Sequence, residues 1–407
     1  MTVLREFDPL RDLPEDFFII MYGMRRTGKT TAILNILEKL KDRLKEFKVH
    51  IFTGTGDVNP AQWKNFPRSS IQTDIDNVNR GVQQILDEQE EDIQKECVKQ
   101  IKEHYDEAVR QNKTNKELKK QQETNPAVTK KRKRSEKGSE DPLAQPRDVS
   151  QATPSLDPGN QTDAWLLSLN MEGDTEHVLR PEDIKNARRR GLIDDTKLPR
   201  KLLIFDDVVS EDAVRHSHAL NLLPTQGRHL KISAILLSQC ICGSGSVPPI
   251  VRVNTDFIII VGNPRSKNER RLLEENYLTI DEGAKGQGLK ILGEITRVKY
   301  RMLCIDTTNS TATDLSEILT QYGPVPAPPK NVSKNFRLGT KKQWEKDDEY
   351  KHDVEYTDPA MKRPPPKTNP IQAIDGGRFS QGKNKIQRIT GTALPNLTTP
   401  EFLEPFF

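Results

Sequence analysis

The stretch FFIIMYGMRRTGKTTAILNIL, residues 17–37, decides the fold of this chain. Its first five residues are apolar and predict a buried strand, while the apolar spacing from Ile33 to Leu37 predicts a helix. Between them, residues 23–30 match the pattern G-x-x-x-x-G-K-[ST], whose backbone N–H groups cradle a triphosphate at a helix N-terminus. A strand, a glycine-rich loop and a helix in this order predict a nucleotide-binding phosphate loop.

Each residue type in this loop has an expected part. Gly23 and Gly28 permit a tight backbone turn in which successive N–H groups of the loop point inward. Lys29 is expected to neutralise the β and γ phosphates of ATP, and the Thr30 hydroxyl to ligate the Mg²⁺ that arrives with the nucleotide. The remaining residues expected to line the nucleotide are Met24, Arg25, Arg26, Thr27 and Thr31.

A second apolar run, KLLIFDDVV at residues 201–209, continues directly into two aspartates. Such a run is typical of a buried parallel strand, whose carboxyl end lies where these sheets bind ligands. Asp206 is expected to hold Mg²⁺, directly or through a water, and Asp207 to polarise the attacking water. Two aspartates also commonly end a strand and start a turn, so the phosphate loop is what favours the functional interpretation.

A third run, KISAILLSQ at residues 231–239, predicts another strand with an amide at its tip. Gln239 is therefore a candidate γ-phosphate sensor. Arg228, just upstream, is the best candidate for an arginine finger, with Arg252 second, although a surface salt bridge is the alternative for Arg228. Three further strands are predicted at residues 48–53, 255–261 and 301–305.

The composition predicts that only part of the 407 residues folds into a compact structure. Hydrophobic residues make up 34% and charged residues 30%, with a mean hydropathy of −0.72, so sizeable segments are expected to stay solvated. The net charge of +4 permits a polyanionic partner. Four cysteines without C-x-x-C spacing favour a reducing compartment, and the lack of a signal peptide or long apolar run predicts a soluble intracellular protein without membrane contact.

Composition also divides the chain. Residues 1–86 and 162–320 are predicted to form the nucleotide-binding core. Residues 87–161 form a charged insertion, predicted as an exposed helical arm followed by a disordered segment that contains the basic block Lys130–Arg134. That block fits nuclear entry or nucleic-acid binding, or is simply solvated charge. Residues 321–407 are rich in Pro, Lys and Arg and are predicted to be largely disordered.

The segments IIMYGMRRTGKTT, LLIFDD, GRHLKISAILLSQ and VPPIVRVNTDFIII, in this order, resemble the poxvirus-type DNA-packaging ATPases of nucleocytoplasmic large DNA viruses, members of the FtsK/HerA superfamily. The resemblance covers residues 14–306, apart from the insertion. It implies an α/β P-loop NTPase fold of the RecA/FtsK-like, additional-strand type, with a central, mostly parallel sheet flanked by helices.

The same resemblance implies a ring-shaped homo-oligomer that hydrolyses ATP and drives double-stranded DNA into a preformed capsid, with a capsid or portal-vertex protein as a further partner. Its place would be the cytoplasm or nucleus of an infected host, or the virion. By motif it also implies the roles given above for Lys29, Thr30, Asp206, Asp207 and Gln239, and the arginine-finger role of Arg228. The chain departs from many relatives in having Asp207 where they use Glu, and in its charged insertion.

Other classes compete with a motor. A regulatory GTPase would need D-x-x-G after the acid strand and N-K-x-D for guanine, and the sequence has neither at the required places. A nucleotide-binding assembly or DNA-segregation protein without motor activity remains open, with the arms as its functional part. A small-molecule kinase ranks last because the charged arm and basic tail have no use there.

Overall fold

A computed structural model describes residues 4–54, 60–74, 76–124, 158–169, 171, 179–208, 217–240, 247–264, 266–280, 285–328 and 330–347. Its centre is an eight-stranded sheet with strand order β3-β2-β4-β5-β1-β6-β7-β8. The strands are β1 Phe18–Tyr22, β2 Lys48–Thr53, β3 Ile71–Gln72, β4 Lys201–Asp206, β5 Ile232–Ser238, β6 Phe257–Val261, β7 Met302–Asp306 and β8 Leu319–Tyr322. Six strands are parallel, and β7 and β8 are antiparallel to their neighbours.

The predicted fold class is confirmed. Strand β1, which leads into the phosphate loop, lies between β5 and β6, and β5 separates it from the acid strand β4. That intervening strand is the additional strand of the prediction. Because β1, β4 and β5 are parallel, with Tyr22 opposite Ser238 and Asp206 opposite Leu237, their last residues meet at one edge of the sheet. We call this the carboxyl edge, and the opposite one the amino edge.

Helices cover both faces of the sheet. They are α1 Pro9–Asp12, α2 Lys29–Lys39, α3 Val78–Thr124, α4 Pro158–Ser168, α5 Pro181–Arg189, α6 His218–Gln226, α7 Pro249–Val253, α8 Lys267–Tyr277, α9 Gln287–Ile295 and α10 Leu315–Ile318. The α2 face buries Ile33 and Leu37 against the sheet, and the opposite face buries residues of α3 and α6, including Val82 and Leu220. Burial on both faces explains why β1, β4 and β5 are continuous apolar runs.

The exposed helical arm of the prediction is wrong for its first half. Helix α3 runs without a break from the sheet into the predicted insertion, so residue 87 marks no boundary in the backbone. Its stripe residues Cys97, Ile101 and Tyr105 are buried, and Ile101 and Tyr105 pack with apolar residues of α4 and α5. Helices α4 and α5 thus supply a partner for α3 that the α3 sequence alone does not reveal. The basic block Lys130–Arg134 lies outside the described residues.

The predicted disorder from residue 321 onward is also wrong for its first part. Residues 330–347, which we call the C-terminal strap, pack on the core and bury Phe336 and Leu338. The Gln343 amide donates to the Val49 carbonyl at 2.8 Å and accepts from the Val49 N–H at 3.1 Å, which satisfies the part of β2 that short β3 leaves unpaired. The chain divides into two units, Met1–Glu355 and Tyr356–Phe407, and the second lies wholly outside the described residues.

None of the helices in the described part of the chain combines the length and the apolar character needed to span a bilayer.

Candidate functional site

The phosphate loop joins β1 to α2 at the carboxyl edge, and its two glycines are needed there for different reasons. A β-carbon at Gly23 would lie 2.7 Å from the Val261 carbonyl oxygen of neighbouring β6, so a side chain does not fit. Gly28 has φ of +100° at the N-cap of α2, a conformation that glycine adopts without strain. The loop backbone can therefore turn tightly and present N–H groups at the helix N-terminus.

Lys29 is the first residue of α2, and its side chain is buried, with 6% exposed. Its ammonium donates to the Gly23 carbonyl at 2.8 Å and lies 3.5 Å from the Asp207 carboxylate. The charge is thus held inside the loop, between its backbone and the acid strand. This position suits the phosphate-neutralising part that the sequence assigns to Lys29.

Thr30 and Asp206 converge on one point from two different elements. The Gln62 amide nitrogen donates to Asp206 at 2.7 Å and lies 3.2 Å from the Thr30 hydroxyl oxygen. Gln62 belongs to a 3₁₀ turn, Pro60–Trp63, in the connection that follows β2. Because β2 is parallel to β4, that connection leaves the sheet at the same edge as Asp206.

The Asp206 carboxylate is 3% exposed. Burial first, and then the neighbouring charge of Asp207, raise the pKa of Asp206 to about 6, although Lys29 and Gln62 oppose the shift. A carboxylate in this state is stabilised by a further positive charge. The electrostatics of the site therefore favour a cation close to Asp206.

The oxygen atoms of Thr30 and Asp206 fit Mg²⁺. Both lie within hydrogen-bonding distance of a single nitrogen atom, so they face the same small space, and hydroxyl and carboxylate oxygens are ligands that Mg²⁺ accepts. Among the residues that the structure describes, no group of three His, Cys, Asp or Glu side chains could hold a metal ion.

Asp207 and Gln239 form the other half of the site. Asp207 has φ of +56°, which turns the chain sharply after β4, and its carboxylate accepts from the Gln239 amide at 2.8 Å. Gln239 in turn accepts from the Arg25 guanidinium at 3.1 Å. A chain of contacts thus runs from the phosphate loop through the tip of β5 to the acid strand. Such a chain can pass a change at the phosphates to the residue expected to hold the attacking water.

Three other residues of the predicted nucleotide lining, Arg26, Thr27 and Thr31, lie in the loop and in the first turn of α2. Thr27 donates to the Met24 carbonyl at 2.8 Å, which closes the turn, and Arg26 has φ of +64° with an exposed side chain. Thr31 is half-buried in the first turn of α2, and its carbonyl accepts from Asn331 of the C-terminal strap at 3.3 Å. Thr31 is thus tied to the strap through its backbone.

Arg228 does not join this site within one chain. It precedes β5 at the amino edge, where its guanidinium pairs with the buried Asp256, which also accepts from the Phe18 N–H at 2.7 Å. The salt bridge that the sequence left as an alternative is therefore present. Arg252 lies in α7, before β6, and is likewise at the amino edge.

Sequence reasoning missed Gln62 and Tyr300. The Tyr300 ring covers Gly28, with ring atoms 2.9–3.0 Å from where a β-carbon would stand. No motif marks Tyr300, which follows α9 in the chain. A signal for Gln62 did exist, because it is a polar residue shortly after a predicted strand that ends at the ligand-binding edge.

No family model matches the chain, and no curated protein matches its sequence. Solved structures with detectable similarity include the genome packaging NTPase B204 from Sulfolobus turreted icosahedral virus 2 in complex with ATP-gammaS, at 12% identity and a TM-score of 0.36, covering 77% of this chain and 100% of that one. EssC (ATPases 2 and 3) from Geobacillus thermodenitrificans is 14% identical with a TM-score of 0.38, and the match covers 84% of this chain and 45% of EssC.

VirB4 of Thermoanaerobacter pseudethanolicus is 10% identical with a TM-score of 0.33, covering 80% of this chain and 94% of VirB4. Similarity at this level does not identify the function of this chain, which has to be argued from its own residues.

Proposed function

We propose that this chain is an ATPase that moves double-stranded DNA. The observation that carries the proposal is the convergence at one edge of the sheet of Lys29, Thr30, Asp206, Asp207 and Gln239. These residues come from three separate stretches of sequence, and the sequence motifs alone predict each of them at such a site. Their arrangement supports hydrolysis of a nucleoside triphosphate rather than binding alone, because a carboxylate and an amide stand beside the phosphate-binding lysine.

The residues divide the work of hydrolysis between them. The loop N–H groups and Lys29 bind and orient the phosphates, while Thr30 and Asp206 would hold Mg²⁺, which supplies charge neutralisation on the transferring phosphoryl group. Asp207 orients the attacking water and accepts its proton, and Gln239 reports on the γ-phosphate through its contact with Asp207. In this scheme most of the rate enhancement comes from positioning and electrostatics.

Duplex DNA as the moved substrate rests on the resemblance of four sequence segments to viral DNA-packaging ATPases. We extend the proposal accordingly to a homo-oligomeric ring that packages a viral genome into a preformed capsid, in the infected host, with a capsid or portal-vertex protein as docking partner. Arg228 then acts, if at all, on the nucleotide of a neighbouring subunit, because its own subunit holds it at the amino edge.

The proposal is tested by ATP turnover with and without duplex DNA. We expect duplex DNA to stimulate hydrolysis by the wild type, and Asp206→Asn to lower turnover about 10²–10³-fold under both conditions. Asp306→Asn is the matched control, because Asp306 ends antiparallel β7 and so lies at the amino edge. ATP binding without turnover at saturating DNA would instead identify a non-motor assembly protein, and turnover that ignores DNA would contradict a translocase.

A further inference from the structure

Helix α3 reverses its charge along its length. Residues 78–109 carry nine acidic and four basic side chains, whereas residues 110–121 carry five basic side chains and one acidic side chain. We call residues 110–121 the α3 tip. At 1.5 Å per residue the α3 tip is about 18 Å long. A single continuous helix therefore has an acidic base next to the sheet and a basic end away from it.

The α3 tip continues the very face that is buried in the base. Tyr105, Ala108 and Val109 belong to the cluster packed against α4 and α5. Lys116, Lys119 and Lys120 follow these three residues by eleven positions each, which is three turns of a helix with 3.6 residues per turn. A face that is apolar where the chain covers it thus becomes cationic where the described residues leave it open. Its occupant is therefore expected to be an anion.

Two of the three lysines in the base of α3 pair with glutamates of the same helix. Lys95 lies 3.6 Å from Glu91, and Lys99 lies 3.2 Å from Glu96. These are neighbouring side chains on one helix face, and such pairs are worth a few tenths of a kcal/mol.

Lysines in the α3 tip differ in this respect. Lys113, Lys116 and Lys119 are exposed, and within the described part of the chain none of them forms a salt bridge. The acidic residue of the α3 tip, Glu117, is too little charge to balance them. Lys113, Lys116 and Lys119 therefore present solvated ammonium groups away from the core.

We propose that the α3 tip binds the phosphate backbone of double-stranded DNA, an inference that rests on the proposed function. Ammonium groups are strongly hydrated point charges that suit phosphates, and they lack the fork geometry with which arginine reads base edges. Spacings of three and four residues place successive charges about 4.5–6 Å apart along the helix axis. Contacts of this kind position a duplex without reading its sequence, as a translocase requires.

The test compares two variants of the full chain with equal loss of charge. The tip variant carries Lys113→Gln, Lys116→Gln and Lys119→Gln, and the base variant carries Lys95→Gln, Lys99→Gln and Lys102→Gln. Glutamine keeps helix propensity, and circular dichroism checks that both variants fold. Binding of a fluorescent duplex of mixed sequence is measured by anisotropy over a range of salt concentrations.

For the tip variant we expect the affinity for duplex to fall about tenfold or more, and the slope of log K against log salt to become shallower by about 2–3, since each lost phosphate contact contributes about 0.9. The base variant should match the wild type in both quantities. The slope counts lost contacts even where Lys130–Arg134 also binds DNA. An unchanged slope in the tip variant, or a wild type that does not bind duplex, overturns the inference.

Two further measurements separate this inference from the proposed function and from an acidic protein partner. Basal ATP turnover of the tip variant should equal that of the wild type. Tip-dependent DNA binding without DNA-stimulated turnover in the wild type would leave the α3 tip as a DNA surface and remove the motor. Polyglutamate of equal charge serves as a competitor, and displacement of duplex by it at lower charge concentration than unlabelled duplex would overturn the choice of DNA.

Discussion

The two edges of the central sheet hold similar charged residues in different ways. At the amino edge, the Arg228 guanidinium pairs with the buried Asp256, and Arg200 lies 3.3 Å from Asp16. At the carboxyl edge, Asp206 accepts from the Gln62 amide beside the carboxylate of Asp207, and the cation there is the Lys29 ammonium, 3.5 Å from Asp207. Guanidinium pairs fix a structure, whereas amide contacts can be exchanged for a ligand. Charges at strand ends are therefore informative about function only together with the partner that holds them.

The largest effect that this comparison predicts comes from the two lysines. Lys29→Ala should lower ATP turnover about 10²–10³-fold, because a buried charge beside the phosphates is lost. Lys231→Ala, at the amino edge, should leave turnover within about twofold, since it removes a distant contact with Asp16 at 3.9 Å. Steady-state kinetics at saturating ATP measures the turnover of both variants. Similar losses of turnover in the two would contradict the distinction between the edges.

In the protein without nucleotide or metal, a smaller effect is expected on how the free energy of unfolding depends on pH. The pKa of Asp206 is raised to about 6 in the folded state, against an ordinary value of 3.8. Asp206 therefore binds its proton more tightly in the folded than in the unfolded state. The free energy of unfolding falls as pH rises from about 4 to 6, and it stays at the lower value above pH 6. Asp206→Asn removes this term, worth about 2–3 kcal/mol.

In chemical denaturation with chelator present, Asp206→Asn should be more stable than the wild type at pH 8 and lose that advantage at pH 4. An Asp206→Asn protein that is less stable than the wild type at pH 8 would show that the carboxyl edge is as fully paired as the amino edge.

Arg228 tests the same comparison at the amino edge of the sheet. Arg228→Ala should lower the free energy of unfolding by about 1–2 kcal/mol, because it leaves the buried Asp256 without its cation, although Arg228 itself is half exposed. Arg228→Lys should recover part of that loss. If Arg228 instead serves as a finger across subunits, both variants should fold normally and lose DNA-stimulated turnover.

The smallest effect concerns Gln62. Gln62→Ala should destabilise the nucleotide-free protein by about 1 kcal/mol, since Thr30 and Asp206 lose a shared donor. The loss should shrink when Mg²⁺ and ATP are present, because they would occupy the same oxygen atoms. Thermal unfolding with and without Mg²⁺ and nucleotide measures both, and Gln83→Ala, which removes an exposed contact with Asp87 at 2.8 Å, is the control.

Much of the sheet and the site could be predicted from the sequence. Strands buried on both faces are uninterrupted apolar runs, so β1, β4, β5 and β6 are visible without any partner. Their polar last residues then had to share one edge, because the strands are parallel. That is why Asp206, Asp207 and Gln239 were named correctly as neighbours of the phosphate loop, while their catalytic roles stay a prediction.

What the sequence hid depends on partners far along the chain. The stripe of α3 looked too narrow to be buried, because its partners in α4 and α5 follow only after residue 157. The C-terminal strap has few apolar residues among its lysines and other polar residues, and Phe336 and Leu338 pack into a core that other elements form. The contact of Gln62 with Asp206 could not be predicted for a related reason, because it depends on β2 lying next to β4 in the sheet.

The C-terminal strap also links the helix behind the phosphate loop to the end of the chain. The Asn35 amide donates to the Asn331 carbonyl at 2.6 Å, and the Ser333 N–H donates to Glu38 at 2.8 Å, so the strap grips α2 along its length. A pull on the chain beyond Asp347 would load β2 through Gln343 first, and then α2 through Ser333 and Asn331. A load applied to the C-terminal strap and a nucleotide bound at the phosphate loop would therefore act on the same helix, α2.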